Sequence, residues 1–314
     1  MSRKSKKRPH WLPAVLALLL TMLVLVVLLP TDQEEPVLAP TAVQNMGSTP
    51  VSNSFLNSEK QLNFAYEELT EQKSLQAPKE TPIPLKNGFP ESGIALVMDD
   101  VGYDLKALKR VLALPFPVAI SILPDAPGAQ KAAVMAHEAG EIVMLHLPME
   151  PTSPKYRSRM TDAFLRTDMN EAQVRELTTL ALQQVPYVAG INNHMGSLLT
   201  TLEDPMKWVM KICRERSLFF VDSKTSNSSV AANIASEYGL AWGSRRIFLD
   251  HTVDAEDLKM AWAAAVRCAE QKGSCIVIAH PHAETLSFLE QQMSKKDHRY
   301  IRPVTSMLHA GGRS

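Results

Sequence analysis

Short apolar runs alternate with longer amphipathic stretches from residue 93 onward. The first run, 93–98, is continuous and is typical of a strand that is buried on both faces. Further strands are predicted at 118–123, 141–147, 188–192, 218–221, 240–249, 274–279 and 300–307. Helical periodicity lies between them, near 104–114, 128–139, 170–184, 204–216, 229–238, 254–271 and 283–297. This alternation predicts a parallel sheet with right-handed crossovers.

Closure of that sheet gives an α/β fold, a TIM-like barrel of seven or eight β/α units across residues 92–310. An open doubly wound sheet is the alternative arrangement. The chain has no G-x-G-x-x-G after the first predicted strand and no G-x-x-x-x-G-K-S/T, so no nucleotide partner is expected. Cap residues agree with the predicted helix ends: Asn170 and Asp254 at N-termini, and Gly140, Gly239 and Gly273 after C-termini.

The first ninety residues follow a different pattern. A basic cluster at 3–8 precedes an apolar run at 11–29, which is nearly long enough to cross a bilayer. The run ends without an A-x-A-like cleavage site, so residues 1–30 are predicted to be a membrane anchor in preference to a cleaved signal sequence. Positive charge before the run predicts a cytoplasmic N-terminus. The domain is therefore expected at the periplasmic face of the inner membrane, or in the periplasm if cleavage occurs.

The amino-acid composition changes these predictions little. Residues 31–91 are rich in Pro, Glu, Gln, Ser and Thr, which predicts a linker of low order. Lys and Arg total 33 and so do Asp and Glu, so no overall positive field indicates nucleic acid as a partner. Three cysteines are present, and two interpretations stay open: a Cys268–Cys275 disulfide, or three buried thiols that include Cys213.

Ionisable residues gather where the predicted strands end. Function in α/β barrels collects at the carboxyl ends of the strands, which meet at one rim. Each residue alone has a structural explanation, as a helix cap or a hydrogen-bonded core histidine, but their shared position favours a functional site. In chain order the residues at these ends are Asp99, Asp100, His146, Glu150, His194, Asp222, His280 and His282.

The adjacent carboxylates Asp99 and Asp100 suggest a division of roles. Successive side chains of an extended strand point to opposite sides, so one carboxylate can bind a metal ion while its neighbour acts as a base. A carboxylate and two imidazoles, with positions left for water, form a typical catalytic site for a divalent metal. Zn²⁺ is the expected ion.

At these residues the chain resembles the polysaccharide deacetylase (NodB-homology) superfamily, in particular its divergent branch, across 93–309. The residues 97–100 match the first motif of that family, which implies that Asp99 is the catalytic base and Asp100 a metal ligand. The second family motif, H-S/T-x-x-H-P, is similar to 146–151 and implies that His146 is a ligand. An L-x-H motif is similar to 278–280 and implies that His280 is the general acid. The resemblance also implies a distorted barrel.

Departures from the family pattern affect the third ligand. Glu150 stands where the second histidine of the motif is expected, and His194 is the preferred ligand because it supplies an imidazole in its place. The Arg-bearing motif at strand four is replaced by 192–197, and Leu147 replaces a polar residue, which weakens the inference of acetyl specificity. Asp222 is similar to a strand-five aspartate that supports a catalytic residue, and His282 is a further candidate.

The resemblance implies a metal-dependent hydrolase that removes N- or O-acetyl groups from an envelope polysaccharide, with peptidoglycan the natural candidate. A non-catalytic carbohydrate-binding or envelope scaffold protein that retains the barrel is the alternative. Such a protein needs aromatic surfaces for sugar rings, whereas aromatic residues make up only 6% of the chain. Tyr103, Trp242 and Phe248 are the expected aromatic residues at the rim.

Overall fold

The computed structural model describes residues 92–292 and 300–311. The predicted anchor (1–30) and the predicted linker (31–91) therefore lie outside the described residues. Within the described ranges, no helix is both long and apolar enough to cross a bilayer. The described residues form seven parallel strands: β1 (Gly93–Val101), β2 (Val118–Ile122), β3 (Val143–Met149), β4 (Val188–Met195), β5 (Phe219–Asp222), β6 (Trp242–Phe248) and β7 (Ser274–Ala279).

The strands close into a barrel in the order β1 to β7. Closure is made by β7 and β1, which pair in register from Gly93↔Ser274 to Met98↔Ala279. The predicted TIM-like barrel is thus confirmed, with seven strands. Helices follow the strands along the chain: α1 (Leu105–Leu112), α2 (Ala129–Glu138), α3 (Pro154–Arg157), α4 (Glu171–Gln184), α5 (Glu203–Glu215), α6 (Ala231–Glu237), α7 (Ala255–Lys272) and α8 (Ala283–Gln292).

The predicted caps agree with the observed helix ends. The Asn170 side chain accepts from the Gln173 N–H in a capping box at the start of α4, and Asp254 accepts from two N–H groups at the start of α7. Gly140, Gly239 and Gly273 each have a positive φ just after a helix, the backbone conformation in which glycine carries no steric penalty.

The predicted strand at 300–307 is wrong. The segment forms only an isolated bridge between Ile301 and Ile94, followed by a 3₁₀ turn at Val304–Met307. Pro303 contributes to this outcome, because it has no N–H to donate to a strand ladder. Val304, Met307 and Leu308 pack with the apolar residues inside the barrel, so the segment covers the mouth at the N-terminal ends of the strands.

Inward-facing residues in this lower part of the barrel, near the N-terminal strand ends, are apolar. They include Ala95, Val97, Met144, Phe219, Ile276 and Ile278. The ring of Phe219 lies where a β-carbon at Gly190 would stand, so the missing side chain on β4 makes room for the aromatic ring on β5. The outer faces of the strands pack against the helices in a separate and larger core.

The three cysteines are free thiols in the structure, and the expectation of three buried thiols is confirmed for two of them. Cys213 and Cys275 are buried, whereas Cys268 is half-buried and its sulfur lies 4.0 Å from the carbonyl oxygen of Ser274. Burial raises the pKa of the Cys213 thiol to about 12, so this residue remains protonated at neutral pH.

Candidate active site

The predicted site residues converge at the C-terminal end of the barrel. Asp99 and Asp100 lie near the end of β1, His146 lies on β3, His194 lies on β4, and His280 directly follows β7. Asp99 and His146 are each only 2% exposed. Alternation along the strands brings these side chains inward, above the apolar layers.

The backbone at Asp100 brings both carboxylates to the same site. Opposite orientations were predicted for an extended chain, and that prediction is wrong, because Asp100 has a φ of 56° and the β1–β2 register shifts between Met98 and Val101. Asp99 Oδ2 lies 3.6 Å and Asp100 Oδ1 3.2 Å from Nε2 of His146. A left-handed backbone at a non-glycine residue is unfavourable, and such strain concentrates at functional sites.

Three potential ligand atoms lie at nearly equal separations. Asp100 Oδ1 is 2.9 Å from His194 Nδ1 and 3.2 Å from His146 Nε2, and the two ring nitrogens are 3.2 Å apart. Ligands about 2.05 Å from a tetrahedral Zn²⁺ are separated by about 3.3 Å. Asp100, His146 and His194 therefore fit a divalent ion in both spacing and donor type.

Asp100 provides a second test of this fit. Its Oδ1 atom is buried and, despite the short distances, receives no hydrogen bond of acceptable geometry. A buried carboxylate oxygen without a donor is costly unless a cation compensates it. Burial raises the pKa of Asp100, but the imidazoles of His146 and His194 outweigh burial and hold the pKa well below its usual range. The carboxylate is therefore ionised, as a metal ligand must be.

Asp99 lies beside these three residues and outside their cluster. Its Oδ1 atom accepts a hydrogen bond from Nδ2 of Asn192 at 2.8 Å, so Oδ2 remains directed toward His146. Burial raises the pKa of Asp99, although the nearby His146 and His280 oppose this change. A buried carboxylate with an elevated pKa is a stronger base than an exposed one.

His280 lies on the other side of the cluster, with Nε2 3.8 Å from Asp100 Oδ2. Its Nδ1 atom lies 3.0 Å from Oδ1 of Asp250, whose other oxygen accepts from the His280 backbone N–H at 2.6 Å and from the Thr285 hydroxyl at 2.9 Å. Burial lowers the pKa of His280, but the hydrogen bond to Asp250 and the carboxylates of Asp99 and Asp100 raise it to about 9. The ring is therefore protonated at neutral pH.

The sequence interpretation missed Asp250 and assigned a supporting role to Asp222. Asp222 instead accepts a hydrogen bond from the Lys224 backbone N–H at 2.8 Å and lies 3.9 Å from the Lys224 ammonium group. The contact with His280 is made by Asp250, which follows β6. His282 lies near Asp250 and His280, but both oxygens of Asp250 are already occupied by hydrogen bonds.

Glu150 and His194 were the two candidates for the third ligand. The side chain of Glu150 is held elsewhere: Oε2 accepts from the backbone N–H and the hydroxyl of Thr167, both at 2.8 Å. Its Oε1 atom lies 3.2 Å from Nε of Arg157. His194 lies beside Asp100 and His146, so the geometry favours His194.

Two of the three expected aromatic residues lie at this end of the barrel. Phe248 makes an edge contact with His280 at 5.2 Å between ring centroids, and Tyr103, just after β1, is 62% exposed. Trp242 was placed at the rim incorrectly. It is the first residue of β6, at the opposite mouth, where it stacks on His309.

Comparisons with known proteins agree with the fold. A sequence model of the divergent polysaccharide deacetylase family matches residues 96–307, which include every predicted site residue. The uncharacterized protein YibQ of Escherichia coli K12 is 36% identical over 200 residues, which make up 64% of this chain and 62% of the relative. An uncharacterized protein of Haemophilus influenzae Rd is 37% identical over 202 residues, or 64% of this chain and 71% of the relative.

The matched region spans less than two thirds of the E. coli relative. A crystal structure of an uncharacterized protein from Agrobacterium tumefaciens C58 is also similar, with a TM-score of 0.65 and 18% sequence identity. The match covers 71% of this chain and 91% of that protein. This likeness supports the barrel fold independently of the sequence match.

Proposed function

Because this chain belongs to the divergent polysaccharide deacetylase family, we propose that it is a metal-dependent hydrolase that removes N- or O-acetyl groups from an envelope polysaccharide. The observation that carries the proposal is the convergence of Asp100, His146 and His194 on one point, with Asp99 on one side and His280 on the other. This arrangement places a base and an acid on either side of a potential metal site.

The proposed roles follow from the geometry. Asp100, His146 and His194 would hold a divalent ion, with Zn²⁺ the best match to two imidazoles and a carboxylate. When bound, such an ion supplies Lewis acidity toward water and toward the acetyl carbonyl oxygen. Three protein ligands would leave room at such an ion for water and substrate.

Proton transfers are assigned to the two flanking residues. Water attacks the acetyl carbonyl carbon while Asp99 accepts its proton, with Oδ2 as the oxygen that is not bonded to Asn192. His280 donates a proton to the leaving nitrogen or oxygen as the acyl bond breaks, which yields acetate and a free amine or hydroxyl. Asp250 keeps His280 protonated and oriented, as a third residue does in other acid–base pairs.

The cellular location and the substrate are part of the same proposal. The basic and apolar segments within 1–30 support attachment to the inner membrane, with the barrel on the periplasmic side. That location makes peptidoglycan an accessible acetylated glycan. The family match supports a polysaccharide as the substrate class.

The test combines metal analysis with acetate release by the full-length chain. We expect about one divalent ion per chain and acetate release from acetylated chitin oligosaccharides or peptidoglycan fragments. Asp99→Asn should retain the ion but lower the rate roughly 10²–10⁴-fold, the usual contribution of a general base. Asp254→Asn is the matched control, since Asn is also a good helix cap and should leave the rate unchanged.

Two outcomes would contradict the proposal. Unchanged acetate release by Asp99→Asn would remove Asp99 from the mechanism. If the wild-type chain with its metal ion released no acetate from any of these glycans, the alternative of a non-catalytic carbohydrate-binding or envelope scaffold protein would be favoured.

A further inference from the structure

A buried side-chain amide connects the proposed base to a proposed metal ligand. Asn192 lies on β4, two residues before His194, and is fully buried. Its Oδ1 atom lies 3.0 Å from Nδ1 of His146 and also accepts from the hydroxyl of Ser121. Its Nδ2 atom donates to Asp99 Oδ1 at 2.8 Å and to the hydroxyl of Ser223 at 3.2 Å. All four hydrogen-bonding capacities of the amide are therefore used.

These contacts determine the orientation of the Asn192 amide. An ionised carboxylate only accepts hydrogen bonds, so the NH₂ group must face Asp99. The carbonyl oxygen then faces His146, and because it too can only accept, the proton of the neutral imidazole must be on Nδ1. The lone pair of His146 is consequently on Nε2, the nitrogen directed toward Asp100 and His194.

Strand register explains why one amide reaches both residues. His146 and Asn192 are direct partners in the β3–β4 ladder, and paired residues of parallel strands face the same side. That side is the barrel interior, where Asp99 projects from β1, Ser121 from β2 and Ser223 from the end of β5. The Asn192 side chain thus contacts residues on β1, β2 and β3 and a residue directly after β5.

We propose that Asn192 is a positioning residue that keeps His146 in the tautomer required of a metal ligand and holds Asp99 beside the metal site. This inference rests on the proposed metal site. Hydrogen bonds to the second nitrogen of a ligating histidine fix its tautomer and orientation, and their loss typically weakens metal binding about 10–100-fold. Through its NH₂ group, Asn192 also leaves Oδ2 as the oxygen of Asp99 that is available to accept a proton.

The neighbouring Asn193 provides a matched control. It is also fully buried, but its Nδ2 atom donates to the Met195 carbonyl at 2.8 Å and its Oδ1 atom accepts from the Ser223 N–H at 2.9 Å. These bonds hold the backbone at the end of β4 and just after β5, and they involve neither Asp99 nor His146. Loss of the Asn193 side chain should therefore affect stability without affecting the tautomer of His146.

Two substitutions separate the contacts of Asn192 with His146 and Asp99. Asn192→Leu removes the acceptor for His146 and the donor for Asp99. Asn192→Asp keeps an acceptor for His146 but replaces the donor for Asp99 with an oxygen. If Asn192 had only a structural role, both substitutions would lower stability, and neither would change the metal affinity of the folded protein.

The measurements are Zn²⁺ affinity and the visible spectrum of bound Co²⁺, made on the full-length chain below its unfolding temperature. For Asn192→Leu we expect Zn²⁺ affinity to fall about 10–100-fold, with an altered Co²⁺ spectrum. Asn192→Asp should keep the wild-type spectrum and bind Zn²⁺ within a few-fold of wild type, yet release little acetate. Asn193→Leu should unfold at a lower temperature and bind Zn²⁺ as the wild type does.

The outcomes distinguish this inference from the proposed function. Failure of the wild-type chain to bind Zn²⁺ or Co²⁺ would contradict the proposed function itself. Wild-type Zn²⁺ affinity in Asn192→Leu, or an equal loss of affinity in Asn192→Asp and Asn192→Leu, would overturn the role assigned to Asn192. If Asn192→Leu does not fold, Asn192→Ala carries the same expectation, because it creates a cavity instead of a steric clash.

Discussion

The lower half of the barrel interior is apolar, whereas the upper half, at the C-terminal strand ends, is polar. On β1 the inward residues change from Ala95 and Val97 to Asp99. On β7, which pairs with β1 to close the barrel, they change from Ile276 and Ile278 to His280 directly after the strand. The same two-residue alternation therefore places packing residues below and chemically active residues above.

The two halves are stabilised by different interactions. Below, burial of apolar surface is favourable wherever side chains fill the space, as Phe219 does over Gly190. Above, each buried polar group requires a partner. Asn192 and Asp250 are fully bonded, whereas two buried carboxylate oxygens, Asp100 Oδ1 and Asp222 Oδ2, have no hydrogen bond. Asp222 Oδ2 lies 3.9 Å from the Lys224 ammonium group, and Asp100 Oδ1 lies at the position proposed for the metal ion.

Truncation of Phe219 should have the largest effect, and it should change stability without changing metal binding. Phe219→Ala removes a buried ring from the lower half and should lower the free energy of unfolding by about 3–5 kcal/mol. Zn²⁺ affinity of the folded variant should remain within a few-fold of wild type, because the ligands lie in the upper half. Urea unfolding and Zn²⁺ titration measure the two quantities. A large loss of affinity in folded Phe219→Ala would show that the halves are not independent.

Two substitutions in the upper half test the choice of ligand. His194→Ala removes a proposed ligand and should weaken Zn²⁺ binding at least about 100-fold, beyond the usual effect of residues that only support a ligand. Glu150→Gln should change affinity only a few-fold, because Glu150 bonds to Thr167 and Arg157. Competition with a chromophoric chelator gives both values. The reverse result would make Glu150 the ligand.

The sequence predicted the barrel and the position of the upper polar half, since Asp99, His146 and His280 each end an apolar run. It did not predict the shared direction of Asp99 and Asp100, which depends on a local left-handed backbone at Asp100. Nor did it predict the contact between Asp250 and His280. That contact joins residues on different β/α units, and only the folded barrel brings them together.

The lower half of the barrel was predicted less completely from the sequence. Its strands are buried on both faces, so inward and outward positions are equally apolar and the alternation is not visible. Trp242 was assigned to the wrong end although it lies near the start of the predicted strand 240–249. Residues 300–307 were predicted to be a strand because their apolar residues suit a strand as well as a segment that covers the barrel mouth. Close packing of Phe219 against Gly190 likewise appears only in three dimensions.

A methyl group at Gly190 should have a smaller effect than loss of the Phe219 ring. The new β-carbon of Gly190→Ala would overlap the ring, so the variant should lose about 1–3 kcal/mol of stability. In a Phe219→Ala background the overlap is absent, and the second substitution should then cost much less. Urea unfolding of the four proteins forms a double-mutant cycle. Additive effects would contradict direct contact as the cause.

The smallest expected effect is a shift in pH dependence that arises in the upper half alone. His280 acts as an acid only while protonated, so acetate release should fall as pH rises through its pKa, which Asp250 helps to raise to about 9. Asp250→Asn removes the carboxylate charge and lowers that pKa. The alkaline limb should therefore move to lower pH, by about one unit if about 1.4 kcal/mol of interaction is lost.

The control for this shift is Gly190→Ala, which should leave the alkaline limb in place because the added β-carbon would meet the ring of Phe219 in the apolar lower half. Rates measured from pH 6 to pH 10 on one acetylated oligosaccharide are sufficient for the comparison. An alkaline limb that stays fixed in Asp250→Asn would mean that the limb reports another group, and His280 would lose its role as the acid. A shift to higher pH would have the wrong sign for removal of a negative charge beside an imidazolium.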